Sequence, residues 1–292
     1  DGKIYSIPFQ RSTMVLYYNK DAFKEAGLDP ETPPATWEEL AEYGQKLTDD
    51  GRYGVGIALN SGSAQWAFTG FCLQNSTDGQ NLMSEDGKSV YFNTPENVEA
   101  LQFWLDLQNE YKCMAEGIVQ WTDLPTQFLA GEVAMIYHTT GNMANIHDNA
   151  DFDFGTAFLP AHKRVGAPTG GGNFYISSGI SEDRVQAAWK FIKFATSTDR
   201  AAQWSLDTGY VATRQSCFDT DLIKDYYAEV PQASVAYEQL PYAKPELTTY
   251  NAAEIWRVLN DNIQAAVVGD MSAREALDAA QEQAEEVLSE YQ

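Results

Sequence analysis

Residues 12–47 read STMVLYYNKDAFKEAGLDPETPPATWEELAEYGQKL and carry several local structural signals in a clear order. The apolar run MVLYYN predicts a β-strand. Asp21 and Gly27 predict the two ends of a short helix, because aspartate caps helix N-termini and glycine commonly ends helices. Thr36, with Glu39 three residues later, predicts a capping box at the start of an amphipathic helix.

Strand and helix signals continue to alternate through the rest of the chain. Strands are predicted at YGVGIAL, VAMIYH and FDFGTAFLP, and helices at AQWAFTGFCLQN (aromatic on one side), TPENVEALQFWLDLQNEY and the pair EDRVQAAWKFIKFATSTDRAAQWSLDTGY. The segment TGGGN predicts a flexible turn before a strand at FYIS, or a place where missing side chains let a ligand approach the backbone. The tail from residue 252 to 291 is predicted to be helical, with a break near Gly269. This alternation indicates an α/β fold.

The composition argues against several kinds of partner and site. The 292 residues include 42 acidic and 19 basic ones, which gives a net charge of −23. Nucleic acids and anionic membrane surfaces require clustered lysine and arginine, so we expect neither as a partner. Cys72, Cys113 and Cys217 are too far apart to predict a zinc site, although one disulfide remains possible. No apolar run is long enough to span a membrane.

No motif in the sequence predicts catalysis. The histidines are His138, His147 and His162, and no GxSxG nucleophile sequence accompanies them. TGGGN is not part of a Walker or dinucleotide-binding pattern. The many carboxylates leave a secreted acidic glycoside hydrolase as an alternative, but their spacing selects no pair. We therefore expect a protein that is not an enzyme and that carries no cofactor, metal or catalytic residue.

Several aromatic residues are candidates for stacking against a ligand, because each lies near the end of a predicted element beside small or polar residues. A ring exposed in a cleft offers its face to a sugar or to a cationic group. The alternative for each ring is packing in the core. The stacking candidates are Trp66, Tyr137, Tyr210 and Trp256, whereas the tryptophans assigned to the core are Trp37, Trp104, Trp189 and Trp204.

Residues 12–47 closely resemble the segment at which the chain crosses between lobes in extracellular solute-binding proteins of ABC importers. The resemblance is to the maltose-binding and glycerol-3-phosphate-binding group. Further segments resemble this family in the same order: FLAGEVAMIYHTTGNMANI, FGTAFLP, the helix pair that ends in TGYVATR, and GDMSAREALDAAQEQAEEVL. The resemblance implies a two-lobe, type II periplasmic-binding-protein-like fold, in which hinge bending closes the lobes around a solute.

The resemblance also implies a division of the chain into lobes. In this family much of the first lobe precedes the LYYNKD segment, so we expect mostly the second lobe here. Residues 1–15 would form the end of the first lobe and the hinge, and residues 155–205 its return segment. Residues 16–154 and 206–292 would form the two parts of the second lobe. The return segment would then lack some of its strand partners.

Candidate ligand-binding residues follow from the same resemblance. It implies hydroxyls at the first hinge, a rim aromatic, a turn after VAMIYH, a glycine turn, the tyrosine of TGY and a stacking tryptophan. A phosphate-binding arginine would align one position away from Arg257. In chain order the candidates are Ser12, Thr13, Trp66, Thr139, Thr140, Gly170, Gly171, Tyr210, Trp256 and Arg257.

The expected function is capture of a sugar or oligosaccharide between the lobes and its delivery to the membrane permease of an ABC importer. Within the family, the alternative ligand is glycerol-3-phosphate or a glycerophosphodiester. A receptor or scaffold that binds a protein partner is a further alternative. We expect a monomer whose partners are the solute and the importer's membrane subunits. The implied location is outside the cytoplasmic membrane, either periplasmic or anchored there by a lipid.

Overall fold

The structure is a computed structural model that describes residues 3–60 and 62–292. Its strands are β1 (Ile7–Asn19), β2 (Tyr53–Ile57), β3 (Val133–Thr139), β4 (Phe154–Ala157), β5 (Ala167–Phe174) and β6 (Ala243–Pro245). Its α-helices are α1 (Lys20–Glu25), α2 (Trp37–Leu47), α3 (Ala64–Asn75), α4 (Pro95–Asn109), α5 (Leu124–Leu129), α6 (Met143–Asn149), α7 (Glu182–Ala195), α8 (Thr198–Thr208), α9 (Asp221–Glu229), α10 (Ser234–Gln239), α11 (Ala252–Val267) and α12 (Ala273–Leu288). The predicted α/β class is confirmed.

Strand β1 is central to the sheet and changes its main partner halfway along. The sheet order is β2-β3-β1-β5-β6, with β4 also paired to β1. From Ile7 to Thr13 the strand pairs with β5, and from Met14 onwards it pairs with β3 and β4. Its second half, which the run MVLYYN predicts, is buried throughout. The strand begins at Ile7, and residues 1 and 2 lie outside the described residues.

The caps around α1 and α2 show how closely local signals specify these helices. Asn19, not Asp21, caps α1: its side chain accepts a hydrogen bond from the Ala22 N–H at 2.9 Å. The prediction was wrong because β1 runs directly into α1, which places Asn19 at the N-cap. Thr36 caps α2 as predicted, accepting from the Glu39 N–H at 3.2 Å. The Glu39 carboxylate accepts from the N–H of Ala35 instead of Thr36, so the capping box is incomplete.

The largest buried cluster surrounds α3, which packs against α4, α11 and β5. All residues of α3 are buried, so no side of this helix faces the solvent. Trp37 and Trp104 lie in this cluster, as predicted. Trp189 on α7 and Trp204 on α8 are 39% and 36% exposed, so their assignment to the core was wrong. Helical periodicity identifies an apolar face but not whether another element covers it.

The TGGGN segment forms part of β5, so the predicted turn was wrong. Gly171 has a φ of +120°, and a Cβ atom there would lie 2.2 Å from the Gln10 carbonyl oxygen. A Cβ atom on Gly170 would lie 2.9 Å from the Ser12 hydroxyl and 3.1 Å from the Trp66 ring. The glycines therefore let β1 and α3 approach the backbone of β5 closely.

The cysteines do not form the disulfide that the sequence left possible. All three, which lie within the described residues, are buried and free. Among those same residues, no helix is both long and apolar enough to cross a membrane.

Candidate ligand-binding site

The candidate site surrounds the point at which β1 changes partner. Ser12 and Thr13 are both buried there. The Thr13 N–H donates to the Thr140 hydroxyl at 3.4 Å, and the Thr13 hydroxyl donates to the Pro168 carbonyl at 3.1 Å. The Gln239 amide donates to the Thr13 hydroxyl at 3.1 Å. Thr13 thus joins four segments of the chain, whereas the Ser12 hydroxyl has no hydrogen bond within residues 3–60 and 62–292.

Trp66 packs against β5 beside this point. Its indole N–H donates to the Thr169 carbonyl of β5 at 3.3 Å, and the edge of its ring lies against Gly170. The first turn of α3, which carries Trp66, is held by the Asn260 side chain, which accepts from the Gln65 N–H at 2.8 Å. Trp66 is therefore positioned by both a strand and a helix.

Trp121 lies beside Trp66 and was not among the residues predicted from the sequence. The centroids of the two indoles are 5.7 Å apart and their planes are inclined by 55°. The Trp121 N–H donates to the Asn60 side chain at 2.9 Å. The two rings, with Asn60, Gly62, Ser63 and Thr122, line an open cavity of about 280 Å³. Trp121 lies in a loop without periodicity or caps, so no local signal could have identified it.

The buried residue His138 packs against Trp121. Its ring stacks on the indole with centroids 3.9 Å apart, and its Nε2 lies 3.3 Å from the Trp121 carbonyl oxygen. Burial lowers the pKa of His138 to about 4, so the ring is neutral at physiological pH. A neutral ring that donates through Nε2 leaves Nδ1 unprotonated, and Nδ1 is buried without a partner in the described part of the chain. His138 therefore acts as an aromatic support and not as an acid or base.

The turn after β3 brings three predicted residues to the same region. The Thr139 hydroxyl accepts from the Gly141 N–H at 3.1 Å, and Thr140 is buried. The Tyr210 ring covers Gly141, where a Cβ atom would lie 2.5 Å from it. The backbone after Tyr210 is anchored to β1 by paired hydrogen bonds between Arg11 and Val211, at 3.2 and 2.7 Å. The ring of Tyr137, by contrast, is buried and stacks on Phe71, which confirms the alternative of core packing.

Trp256 and Arg257 are engaged elsewhere on α11. The Trp256 indole N–H donates to the Leu247 carbonyl at 2.6 Å, and its ring packs against the large buried cluster. The exposed Arg257 guanidinium forms ion pairs with Glu254 and Asp261, each at 2.7 Å. Within residues 3–60 and 62–292, no hydrogen bond or ring contact joins either side chain to Trp66 or Tyr210.

The described residues contain no cluster of three or more histidine, cysteine or acidic side chains that could hold a metal ion. The site instead combines two indoles, hydroxyl and amide groups, and strand backbone. Such a surface can stack against a ring or a cationic group and can hydrogen-bond to a polar solute.

Comparison with known proteins gives consistent matches over the whole chain. The family model for bacterial extracellular solute-binding proteins matches residues 1–232. The sn-glycerol-3-phosphate-binding periplasmic protein UgpB of Salmonella typhimurium is 31% identical over 310 residues, which span 100% of this chain and 68% of that protein. The crystal structure of UgpB from Mycobacterium tuberculosis in complex with glycerophosphocholine superposes with a TM-score of 0.87 at 28% identity, covering 100% of this chain and 72% of that one. The cyclic alpha-maltosyl-1,6-maltose binding protein of Arthrobacter globiformis gives a TM-score of 0.82 at 28% identity, covering 99% and 73% of the two chains.

Proposed function

Because this chain belongs to the bacterial extracellular solute-binding proteins, we propose that it captures a sugar or oligosaccharide for an ABC importer. It has the type II periplasmic-binding-protein fold of the solved structures that it matches. The relatives are named as binding proteins, so the chain is a binding component and the hydrolase alternative lacks support. Its partners are the solute and the membrane subunits of the importer, outside the cytoplasmic membrane. A lipid anchor stays a prediction.

The pair formed by Trp66 and Trp121 is the observation that supports a sugar ligand. The C–H faces of a sugar ring stack on aromatic planes, and the hydroxyl groups around the ring need polar partners. Asn60 and Ser63 supply such partners at the edge of the same cavity, which is large enough for part of a small solute. Ser12, Gly170 and Tyr210 would extend the polar wall towards β1. These site assignments remain proposals.

A glycerophosphodiester is the second candidate, and three observations favour it. The curated relatives at 30–31% identity are named as sn-glycerol-3-phosphate-binding proteins, and one matching structure contains glycerophosphocholine. The two indoles would also suit a quaternary ammonium group. A phosphate, however, needs a cation. The guanidinium of Arg257 is already paired with two carboxylates, and that of Arg11 already donates to the Gly170 carbonyl and the Asn173 side chain. The sugar therefore remains the first proposal.

The change of partner within β1 supports the division into lobes that the resemblance implies. The half of β1 before Met14 pairs with β5, which lies inside the proposed return segment, residues 155–205. The half after Thr13 pairs with β3, which lies inside residues 16–154. We retain residues 1–15 as the end of the first lobe and residues 206–292 as the second part of the second lobe.

Isothermal titration calorimetry with maltose, ribitol, glycerol-3-phosphate and glycerophosphocholine tests the proposed ligand class. We expect saturable binding of a neutral sugar or polyol, weakened about tenfold in Trp121→Ala because the loss of a stacking ring removes roughly 1 kcal/mol. The matched control is Trp189→Ala, which removes a half-exposed tryptophan on α7 and should bind normally. Binding restricted to the two phosphate esters and unaffected by Trp121→Ala would contradict the proposal.

A further inference from the structure

Glu246 leaves the sheet next to the strand on which Trp66 packs. It directly follows β6, whose last residue, Pro245, pairs with Thr169 of β5. The Thr169 carbonyl oxygen is the acceptor for the Trp66 indole N–H. Strands β1 and β6 flank β5 on opposite sides. The backbone of Glu246 therefore lies on the side of β5 that faces away from β1.

Arg11 reaches the same segment of β5 from β1. Its guanidinium donates to the Gly170 carbonyl at 3.5 Å and to the Asn173 side chain at 2.8 Å. Arg11 is close enough to Glu246 to act on it electrostatically: burial raises the pKa of Glu246, and the positive charge of Arg11 lowers it in part. The two side chains do not form an ion pair. A positive charge and a negative charge thus both lie near residues 169 and 170 of β5.

The Glu246 carboxylate is half-buried and has no hydrogen-bond donor or ion-pair partner among residues 3–60 and 62–292. Partial burial without such partners is unfavourable for a carboxylate, and groups of this kind concentrate at functional sites. An ionised carboxylate can accept hydrogen bonds from two neighbouring hydroxyl groups, and a guanidinium can donate to the oxygens of the same groups. It repels a phosphate, which carries between one and two negative charges at neutral pH.

We propose that Glu246 accepts hydrogen bonds from hydroxyl groups of the bound solute and makes the site select a neutral polyhydroxy ligand over a phosphate ester. This inference rests on the proposed function, and it names the residue that sets the charge of the ligand. Of the nearby cations, the Arg11 guanidinium already donates to Gly170 and Asn173, and Lys244 is exposed and lines a neighbouring groove of about 630 Å³ together with Asp78 and Glu85.

Calorimetric titration of Glu246→Gln with maltose, ribitol and glycerol-3-phosphate tests the inference. Glutamine keeps the shape of the side chain but removes its charge, so we expect the neutral ligand to bind about tenfold or more weakly. Glycerol-3-phosphate should bind more tightly than to the unmodified chain. Glu246→Asp should weaken the neutral ligand while still excluding the phosphate ester. The control Glu282→Gln makes the same chemical change on an exposed face of α12 and should alter neither affinity.

Measuring the affinity at several pH values separates the proposed role from a purely structural role of Glu246, which would leave the pH dependence of binding unchanged. Protonation of Glu246 removes its charge, so affinity for the neutral ligand should fall as the pH falls through its raised pKa, and this dependence should be absent in Glu246→Gln. Unchanged affinities and an unchanged pH profile in Glu246→Gln would overturn this inference alone, provided that Trp121→Ala still weakens binding. Failure of the unmodified chain to bind any neutral polyol would overturn the proposed function as well.

Discussion

Helices α3 and α7 have similar lengths and both carry several large aromatic side chains, yet their surroundings are opposite. All twelve residues of α3 are buried, between β5, α4 and α11. Within α7, which the structure describes completely, Ile192 is the only buried residue, and Phe191 and Phe194 are each 57% exposed. The difference shows that burial depends on which elements cover a helix and not on its composition.

The candidate site takes its residues from the more deeply buried of these two regions. Trp66 comes from the buried helix, and Trp121 and His138 are anchored to residues of the same half of the sheet. On α7, by contrast, Phe191 contacts Phe174 and the Arg200 guanidinium lies over Phe194, yet both phenylalanines stay 57% exposed. A ligand-binding surface needs side chains held by surrounding packing, which α3 offers and α7 does not.

The largest expected effect is the contrast between a tryptophan inside the α3 cluster and one on α7. Trp104 is fully buried and stacks on Phe71, so Trp104→Ala should reduce the free energy of unfolding by about 3–5 kcal/mol. Trp189→Ala should change it by less than about 0.5 kcal/mol, because the side chain is already half-exposed. Urea unfolding followed by circular dichroism measures both. Equal losses in the two variants would show that the comparison is mistaken.

The second prediction concerns the buried His138 and the pH dependence of the free energy of unfolding. Its pKa is about 4 in the folded chain, lowered from 6.5 by burial. The unfolded chain therefore binds the proton first as the pH falls, and stability is lost between pH 6.5 and about 4. His138→Gln, which keeps a donor for the Trp121 carbonyl, should remove about 3 kcal/mol of this loss. The measurement is the free energy of unfolding from pH 7 to 4. An equal loss of stability with falling pH in the unmodified chain and in His138→Gln would contradict the prediction.

The smallest expected effect concerns the N-caps of two helices: α2, which packs into the large buried cluster, and α7. The Thr36 side chain accepts a hydrogen bond at the start of α2, so Thr36→Ala should cost about 1 kcal/mol of stability. Ser181 occupies the N-cap of α7 but its side chain makes no cap hydrogen bond, so Ser181→Ala should cost clearly less. Thermal unfolding of the two variants compares them directly, and a larger loss in Ser181→Ala would reverse the expected order.

Much of the secondary structure could be predicted from local sequence signals. The predicted segment AQWAFTGFCLQN coincides with α3, and the predicted segment TPENVEALQFWLDLQNEY contains α4, which Thr94 caps. The error at Asn19 involved a shift of two residues, because strand and helix meet there without a loop. For the site, the resemblance pointed to Ser12, Trp66 and Tyr210, which the structure brings near the partner change of β1. It did not point to Trp121, which belongs to no recognisable motif, or to His138, which lies within the segment FLAGEVAMIYHTTGNMANI but was not among the candidates.

The sequence by itself determined the α/β class, the positions of most helices and the likeness to solute-binding proteins, because caps, apolar periodicity and motifs are short-range properties. Only the tertiary structure decided that α3 is buried on all sides, that Trp189 is exposed and that TGGGN is a strand. Only the tertiary structure also joined Trp66 to Thr169, across 103 residues of sequence. Such contacts depend on how distant elements pack together, and no local pattern specifies which distant element covers a given face.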